Sequence, residues 1–154
     1  GCPARPHSRR SSPPTWPPVK NPGLNSGLMI PQYAQAGLLN TMRMLAVPAT
    51  ADSVSTSAGQ EDYVTMGYNA CKKAVETADK LEYILAIEAL SAYQAQFFIE
   101  EDLKRGKGTS AVYEEMKKNI PAMEKDMYIY PWIQWIKEWI HKGGMLDTAK
   151  KAIN

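Results

Sequence analysis

The stretch Tyr83-Ile84-Leu85-Ala86-Ile87-Glu88-Ala89-Leu90-Ser91-Ala92-Tyr93-Gln94-Ala95-Gln96-Phe97-Phe98-Ile99 decides the fold. Apolar side chains fill nearly every angle of a helical wheel here, and Ala86, Ala89, Ala92 and Ala95 let neighbouring backbones approach closely. A helix that is greasy on every face is buried inside a bundle rather than laid on a surface. Glu88, Ser91, Gln94 and Gln96 interrupt the run too often for a membrane span. So much apolar surface on one helix calls for partners beyond the rest of this chain.

Outward from this run, the helix is expected to reach from about Glu61 to about Phe98, ~57 Å at ~1.5 Å per residue. Ser57 to Gly59 precede it, and Glu61 and Asp62 fall in its first turn, where negative charge suits the helix dipole. Val64, Cys71, Ala74, Val75, Ala78, Leu81 and Leu85 form a stripe along one side. On the C-terminal side, Glu101 to Gly108 read as a charged, solvated turn. Its Gly-Lys-Gly lacks the frame of a phosphate-binding loop. Thr109 or Ser110 caps a short helix, Ala111 to Asn119, which Pro121 stops. Pro131 opens another helix with Trp132, Ile133, Trp135, Ile136, Trp139 and Ile140 on one face, and Gly143-Gly144 end it. Gln134, Lys137, Glu138 and His141 take the opposite face, with too few cations for an interfacial membrane helix. The tryptophan face is a packing or subunit-contact surface.

On the N-terminal side, Leu28, Met29, Ala34, Leu38, Leu39, Met42, Leu45 and Ala46 recur at helical spacing. Pro31 is tolerated in a first turn and Pro48 marks the end, so this helix starts near Ile30. Residues 47–60 are small and hydroxyl-rich and read as an ordered loop. Residues 1–24 hold most of the prolines together with Arg and Ser, and nearly no aliphatic side chains. Such a leader cannot bury enough apolar surface to offset its ordering entropy and is expected to be disordered. With no Met at its start, it looks like an artefactual leader on an excised piece. No strand pattern and no internal repeat occur. The expected class is all-α: a long-helix bundle over residues 25–154, part of a larger central helical domain.

Composition excludes several functions. The formal net charge of +2 on 154 residues, with basic residues scattered apart from Arg9-Arg10, supplies no field for nucleic acid. Cys2 and Cys71 form no framework, and Cys71 reads as a buried reduced thiol, which fits a cytoplasmic location. His7 and His141 stand alone, so no metal-ligand spacing exists. There is no apolar signal core near the N-terminus.

Three further strings carry chemistry: Gly23-Leu24-Asn25-Ser26-Gly27-Leu28-Met29; Ala46-Val47-Pro48-Ala49 with Asp52-Ser53; and Thr56-Ser57-Ala58-Gly59-Gln60-Glu61-Asp62-Tyr63-Val64-Thr65-Met66-Gly67. Spacing alone makes Gln60-Glu61-Asp62 a helix start. Together, however, the strings resemble the aromatic amino-acid lyases: histidine, tyrosine and phenylalanine ammonia-lyases and the related aminomutases. In that family they look like Gly-Leu-Asn-Ser-Gly-(Phe/Leu)-Met, His-Pro-Ala-Ser-Val-Asp-Ser and Thr-Ser-Ala-Asn-Gln-Glu-Asp-His-Val-Ser-Met. Glu82 to Leu90 and Ala95-Gln96 resemble its long core helix, and Ile120-Pro121 with Glu124-Lys125-Asp126 a weaker tail motif. The resemblance covers roughly Pro22 to Tyr130. Gly59 stands where Asn is common, Tyr63 where histidine enzymes carry His, and Met127 where an Arg often follows the Asp.

The resemblance implies non-oxidative elimination of ammonia from an aromatic amino acid, or a 2,3-amine shift by an aminomutase. It assigns Glu61 to catalysis and Gln60, Met29 and Asn25 to substrate binding. A carboxylate beside an amine leaving group stabilises the charged amine and relays protons. The family's electrophile is methylidene-imidazolone, built from an Ala-Ser-Gly triplet that this chain does not contain. The chain is therefore expected to lack that cofactor and to be inactive alone. Expected partners are a complementary N-terminal part or further copies in a tetramer, with no nucleic acid and no membrane. The alternative reading is a non-catalytic helical interaction protein, a remnant that associates through its apolar helices.

Overall fold

In the computed structural model, residues 24–99 and 104–154 are described; residues 1–23, the bulk of the leader expected to be disordered, lie outside them. Five α-helices follow in order: α1 Met29–Leu45, α2 Gly67–Ala95, α3 Lys107–Asn119, α4 Tyr130–His141 and α5 Gly144–Ile153. Short 3-10 turns occupy Ala49–Ala51, Ser57–Gly59 and Gln96–Phe98. Among the described residues there is one isolated bridge and no strand. The protein is all-α, and no helix among the described residues is long and apolar enough to cross a membrane.

The core gathers where the opening run lies. Ala86, Ile87, Leu90 and Tyr93 of α2 are buried against Met116, Ile120, Ile133 and Ile136. The tryptophans of α4 pack around this centre, with Trp135 and Trp139 stacked at 5.1 Å between ring centroids. Gln94, one of the residues that barred a membrane span, is buried and fully used. Its amide nitrogen donates to Pro121 O at 2.9 Å, and its Oε1 accepts from Met123 N at 3.0 Å. The Tyr93 hydroxyl donates to Ile120 O at 2.7 Å, and burial, ahead of nearby Tyr113 and Glu114, raises its pKa above the ordinary 10.0. A buried amide costs several kcal/mol unless it is paired, so these bonds lock the Ile120–Met123 segment onto α2.

Helix α1 runs antiparallel to α2: Gln35 Nε2 donates to Ile84 O at 3.0 Å, while Lys73 Nζ donates to Val47 O at 2.6 Å. Helix α4 meets α2 through its polar side as well as its apolar one. Lys137 Nζ bonds Asp79 Oδ1 at 2.5 Å and lies 4.5 Å from the Tyr83 ring centroid, and His141 Nδ1 is 2.9 Å from Glu82 Oε1. The Asp79 bond is the main reason the Lys137 pKa is raised. Thus Lys137, Gln134 and His141, expected to take the face opposite the packing surface, flank it instead.

Two helix starts differ from the sequence reading. Helix α2 starts at Gly67 rather than Glu61 and has 29 residues, about 43 Å, because the preceding segment makes its hydrogen bonds elsewhere. Helix α3 starts at Lys107, four residues before Ala111, with Gly106 at its N-cap and no side-chain cap from Thr109 or Ser110. Gly108 is buried rather than solvated: a Cβ there would lie 3.0 Å from Ile153 Cδ1 and 3.3 Å from Ala149 O, so a larger residue would press α5 outward. Gly143 and Gly144 do end α4. Gly143 takes φ +72°, and a Cβ on Gly144 would fall 2.5 Å from Trp139 Cδ1. Helix α5 follows at once.

The expected stripe on α2 is not a buried face. Val64 precedes the helix, Cys71 is exposed rather than a buried thiol, and Val75 is 72% exposed. Ala74, Ala78, Leu81 and Leu85 are exposed too.

Candidate functional site

Gln60 and Glu61 sit on the loop between α1 and α2. Ser53 ties the loop together: its Oγ accepts from Val64 N at 2.9 Å and donates to Val64 O at 3.1 Å. Inside that tie, Thr56 N donates to Glu61 O at 3.0 Å, and Glu61 N donates to Thr56 O at 3.3 Å. The chain closes between them through three successive left-handed residues, Ser57 at φ 53°, Ala58 at φ 54° and Gly59 at φ 85°. Left-handed backbone costs a non-glycine residue about 1–2 kcal/mol, so the surrounding bonds must impose it at Ser57 and Ala58. Glycine and asparagine tolerate that region best, which is why Gly59 can stand where the resemblance has Asn.

The consequence is a tight turn that presents Gln60 and Glu61 outward. Both are exposed, as are Asp62 and Tyr63. The helix-start account of Glu61 and Asp62 is overturned, because the first turn of α2 contains no acidic residue. Their amides and carbonyls serve the turn, and their side chains are left to other business.

Asn25 and Met29 lie elsewhere, at the start of α1. The Asp126 carboxylate accepts from Ser26 N at 2.8 Å and from Gly27 N at 2.7 Å, and Asn25 Oδ1 accepts from Asp126 N at 3.0 Å. This reciprocal clasp fixes the Asn-Ser-Gly turn, with Gly27 at φ 55°, against the segment leading into α4. Beside it opens a cleft of about 410 Å³ lined by Ser26, Gly27, Ile30, Asp126, Tyr128 and Tyr130 among others. Met29 is exposed, at 38%, whereas Leu28 before it is buried. The structure therefore brings Asn25 together with Asp126, and the cleft beside them is lined by none of Asn25, Met29, Gln60 and Glu61.

Sequence reasoning missed the service of Asp126, which was visible only as part of a tail motif. Asn-Ser-Gly is legible as turn chemistry, but the carboxylate that fills the turn comes from about 100 residues away. No group of His, Cys, Asp and Glu among the described residues could hold a metal. Nor do they make a cradle for methylidene-imidazolone: the precursor triplet is absent, and Gln60 and Glu61 face outward from an exposed turn.

A family model described as aromatic amino acid lyase matches residues 6–118, from within the Pro-rich stretch through α3. The chain belongs to the aromatic amino acid lyase family. It is 42% identical over 131 residues to a probable histidine ammonia-lyase of Thermoplasma volcanium, covering 85% of this chain and 26% of that protein. It is 41% identical over 134 residues to the histidine ammonia-lyase of Stigmatella aurantiaca, covering 87% and 26%. Among solved structures, the histidine ammonia-lyase of Trypanosoma cruzi superposes with a TM-score of 0.80 at 35% identity, over 88% of this chain and 26% of that one. A tyrosine aminomutase from Streptomyces globisporus does so with a TM-score of 0.82 at 26% identity and the same coverage. The chain thus spans about a quarter of the length of these lyase-family relatives.

Proposed function

We propose that this chain supplies the amide-and-carboxylate part of an aromatic amino-acid ammonia-lyase active site, completed by sequence it does not contain. The observation that carries the reading is the Thr56–Glu61 turn. Its left-handed backbone and paired bridge hold Gln60 and Glu61 outward, where another polypeptide segment can meet them. Strain of this kind persists where the surrounding structure imposes it, and it clusters at functional sites.

In this reading Glu61 faces the substrate ammonium as a carboxylate, stabilises the departing amine and relays its proton, while the Gln60 amide orients the substrate. The electrophile, methylidene-imidazolone in this family, belongs to the complementary part. The exposed apolar faces of α1 and α2 serve as the contact surface for that part or for the other copies of a tetramer. Asn25, held by Asp126, and Met29 at the start of α1 shape a neighbouring wall of the pocket. An aminomutase remains the second reading, favoured by the superposition on tyrosine aminomutase.

The test is complementation. This chain is mixed with an N-terminal lyase part that carries the Ala-Ser-Gly triplet, and release of ammonia from histidine, tyrosine and phenylalanine is followed. Activity is expected only in the mixture, with Glu61→Gln lowering kcat/KM by roughly 100-fold while the complex still forms. A complex that forms and stays inactive toward all three amino acids sinks the reading. A β-amino acid product in place of an arylacrylate selects the aminomutase.

A further inference from the structure

A second cleft, about 300 Å³, opens between α2 and α3, and neither the Asn25–Met29 nor the Gln60–Glu61 segment lines it. Its apolar floor includes Ala89, Ala92, Val112, Met116 and Met145. Tyr93 and Tyr113 supply aromatic walls, with ring centroids 5.4 Å apart and planes tilted by 45°. The Tyr93 hydroxyl is already bonded to Ile120 O, so what Tyr93 offers the cleft is ring surface.

One cation is held at this cleft by two contacts. The Arg105 guanidinium lies 3.8 Å from the Tyr113 ring centroid, and its Nε donates to Gln96 Oε1 at 3.2 Å. Stacking and that single bond use one face and one of the five N–H donors of the guanidinium, leaving the terminal nitrogens for a planar acceptor. A concave, mostly apolar site with a few convergent polar groups is the usual form of a small-molecule site, and this volume lies at the small end of that range.

We propose that this cleft binds a small aromatic monocarboxylate. The ring lies on the alanine and methionine floor against Tyr93 and Tyr113, and the carboxylate takes a two-point bond from the terminal nitrogens of Arg105. Arginine suits this role because its fork matches a carboxylate and its plane is already fixed by the tyrosine beneath it. An amine of the same shape is repelled, and a neutral alcohol loses the charge-assisted bond.

The experiment is fluorine NMR titration of the full chain with 4-fluorobenzoate, beside 4-fluorobenzyl alcohol and 4-fluorobenzylamine of matched size. Saturable binding of the benzoate is expected with a Kd of roughly 1 mM, and binding about tenfold weaker for the alcohol and for the Arg105→Gln chain. Ala92→Leu fills the floor and weakens the benzoate about as much, while leaving the cation in place. Circular dichroism and thermal unfolding show whether each variant retains the fold; Arg105 and Ala92 are exposed, so both are expected to. Absence of saturation, equal affinity for the amine, or benzoate binding unchanged in both folded variants overturns the proposal.

Discussion

The two halves of α2 share one helix and lie in opposite circumstances. Ala86, Ile87, Leu90, Tyr93 and Gln94 of its C-terminal half are among the most buried side chains in the molecule, with Ala86 and Leu90 at 0% exposure. From Tyr68 to Leu85 apolar residues of similar size lie open, Tyr68 at 77% and Val75 at 72%. One continuous helix of 29 residues carries both. Helical propensity therefore does not explain the difference; neighbours do. The C-terminal half is wrapped by α3, α4 and the Ile120–Met123 segment, whereas α1 covers only one side of the N-terminal half. Tyr33 and Met44 of α1 and Val47 in the loop after it are exposed as well.

That comparison can be broken in four places. The largest effect is expected at Leu90→Ala, which opens a cavity in the fully buried half and should cost about 2–5 kcal/mol in urea unfolding followed by tryptophan fluorescence. A cost below 1 kcal/mol would mean that the C-terminal half is not the well-packed one. Gln94→Leu should cost about 1–3 kcal/mol, because it leaves Met123 N buried without a partner and removes the bond to Pro121 O. Hydrogen exchange would then rise first at Met123. Asp126→Ala removes the acceptor of two backbone amides and should cost about 1–3 kcal/mol, with faster exchange at Ser26 and Gly27 and little change at Leu90. The smallest effect is expected at Val75→Ser, within about 0.5 kcal/mol for the isolated chain. The same substitution should weaken assembly with a complementary part, measured by sedimentation. If Val75→Ser instead destabilises the isolated chain by more than 1 kcal/mol, its face is already covered by a second copy.

Much of the architecture was legible. Pro31 and Pro48 bracket α1, Pro131 and Gly143 bracket α4, and the all-round apolar run of α2 coincides with the core. These readings succeed because proline, glycine and apolar spacing act over one or two turns of chain. The start of α2 was misread for the complementary reason. Gln60, Glu61 and Asp62 have the chemistry of a helix start, yet Ser53 and Thr56 capture the backbone between them and Val64 first. Gly108 was likewise misjudged, since closeness to Ile153 of α5 cannot be read from a local string. The polar side of α4 was placed in solvent because periodicity sorts faces by polarity, and Asp79 and Glu82 on α2 were out of view.

The candidate site divides in the same way. Sequence alone named Asn25, Met29, Gln60 and Glu61, through strings whose order and spacing are shared with the aromatic amino acid lyase family. Only the tertiary structure decided that Asn25 is held by Asp126, and that Gln60 and Glu61 face outward from a left-handed turn. The physical reason is range. Helix and turn preferences are settled by neighbours a few positions away, so sequence determined the class, most helix limits and the family. The satisfaction of a buried amide, the filling of a turn by a carboxylate and the covering of an apolar face each depend on groups about 30 to 100 residues distant, or on another chain.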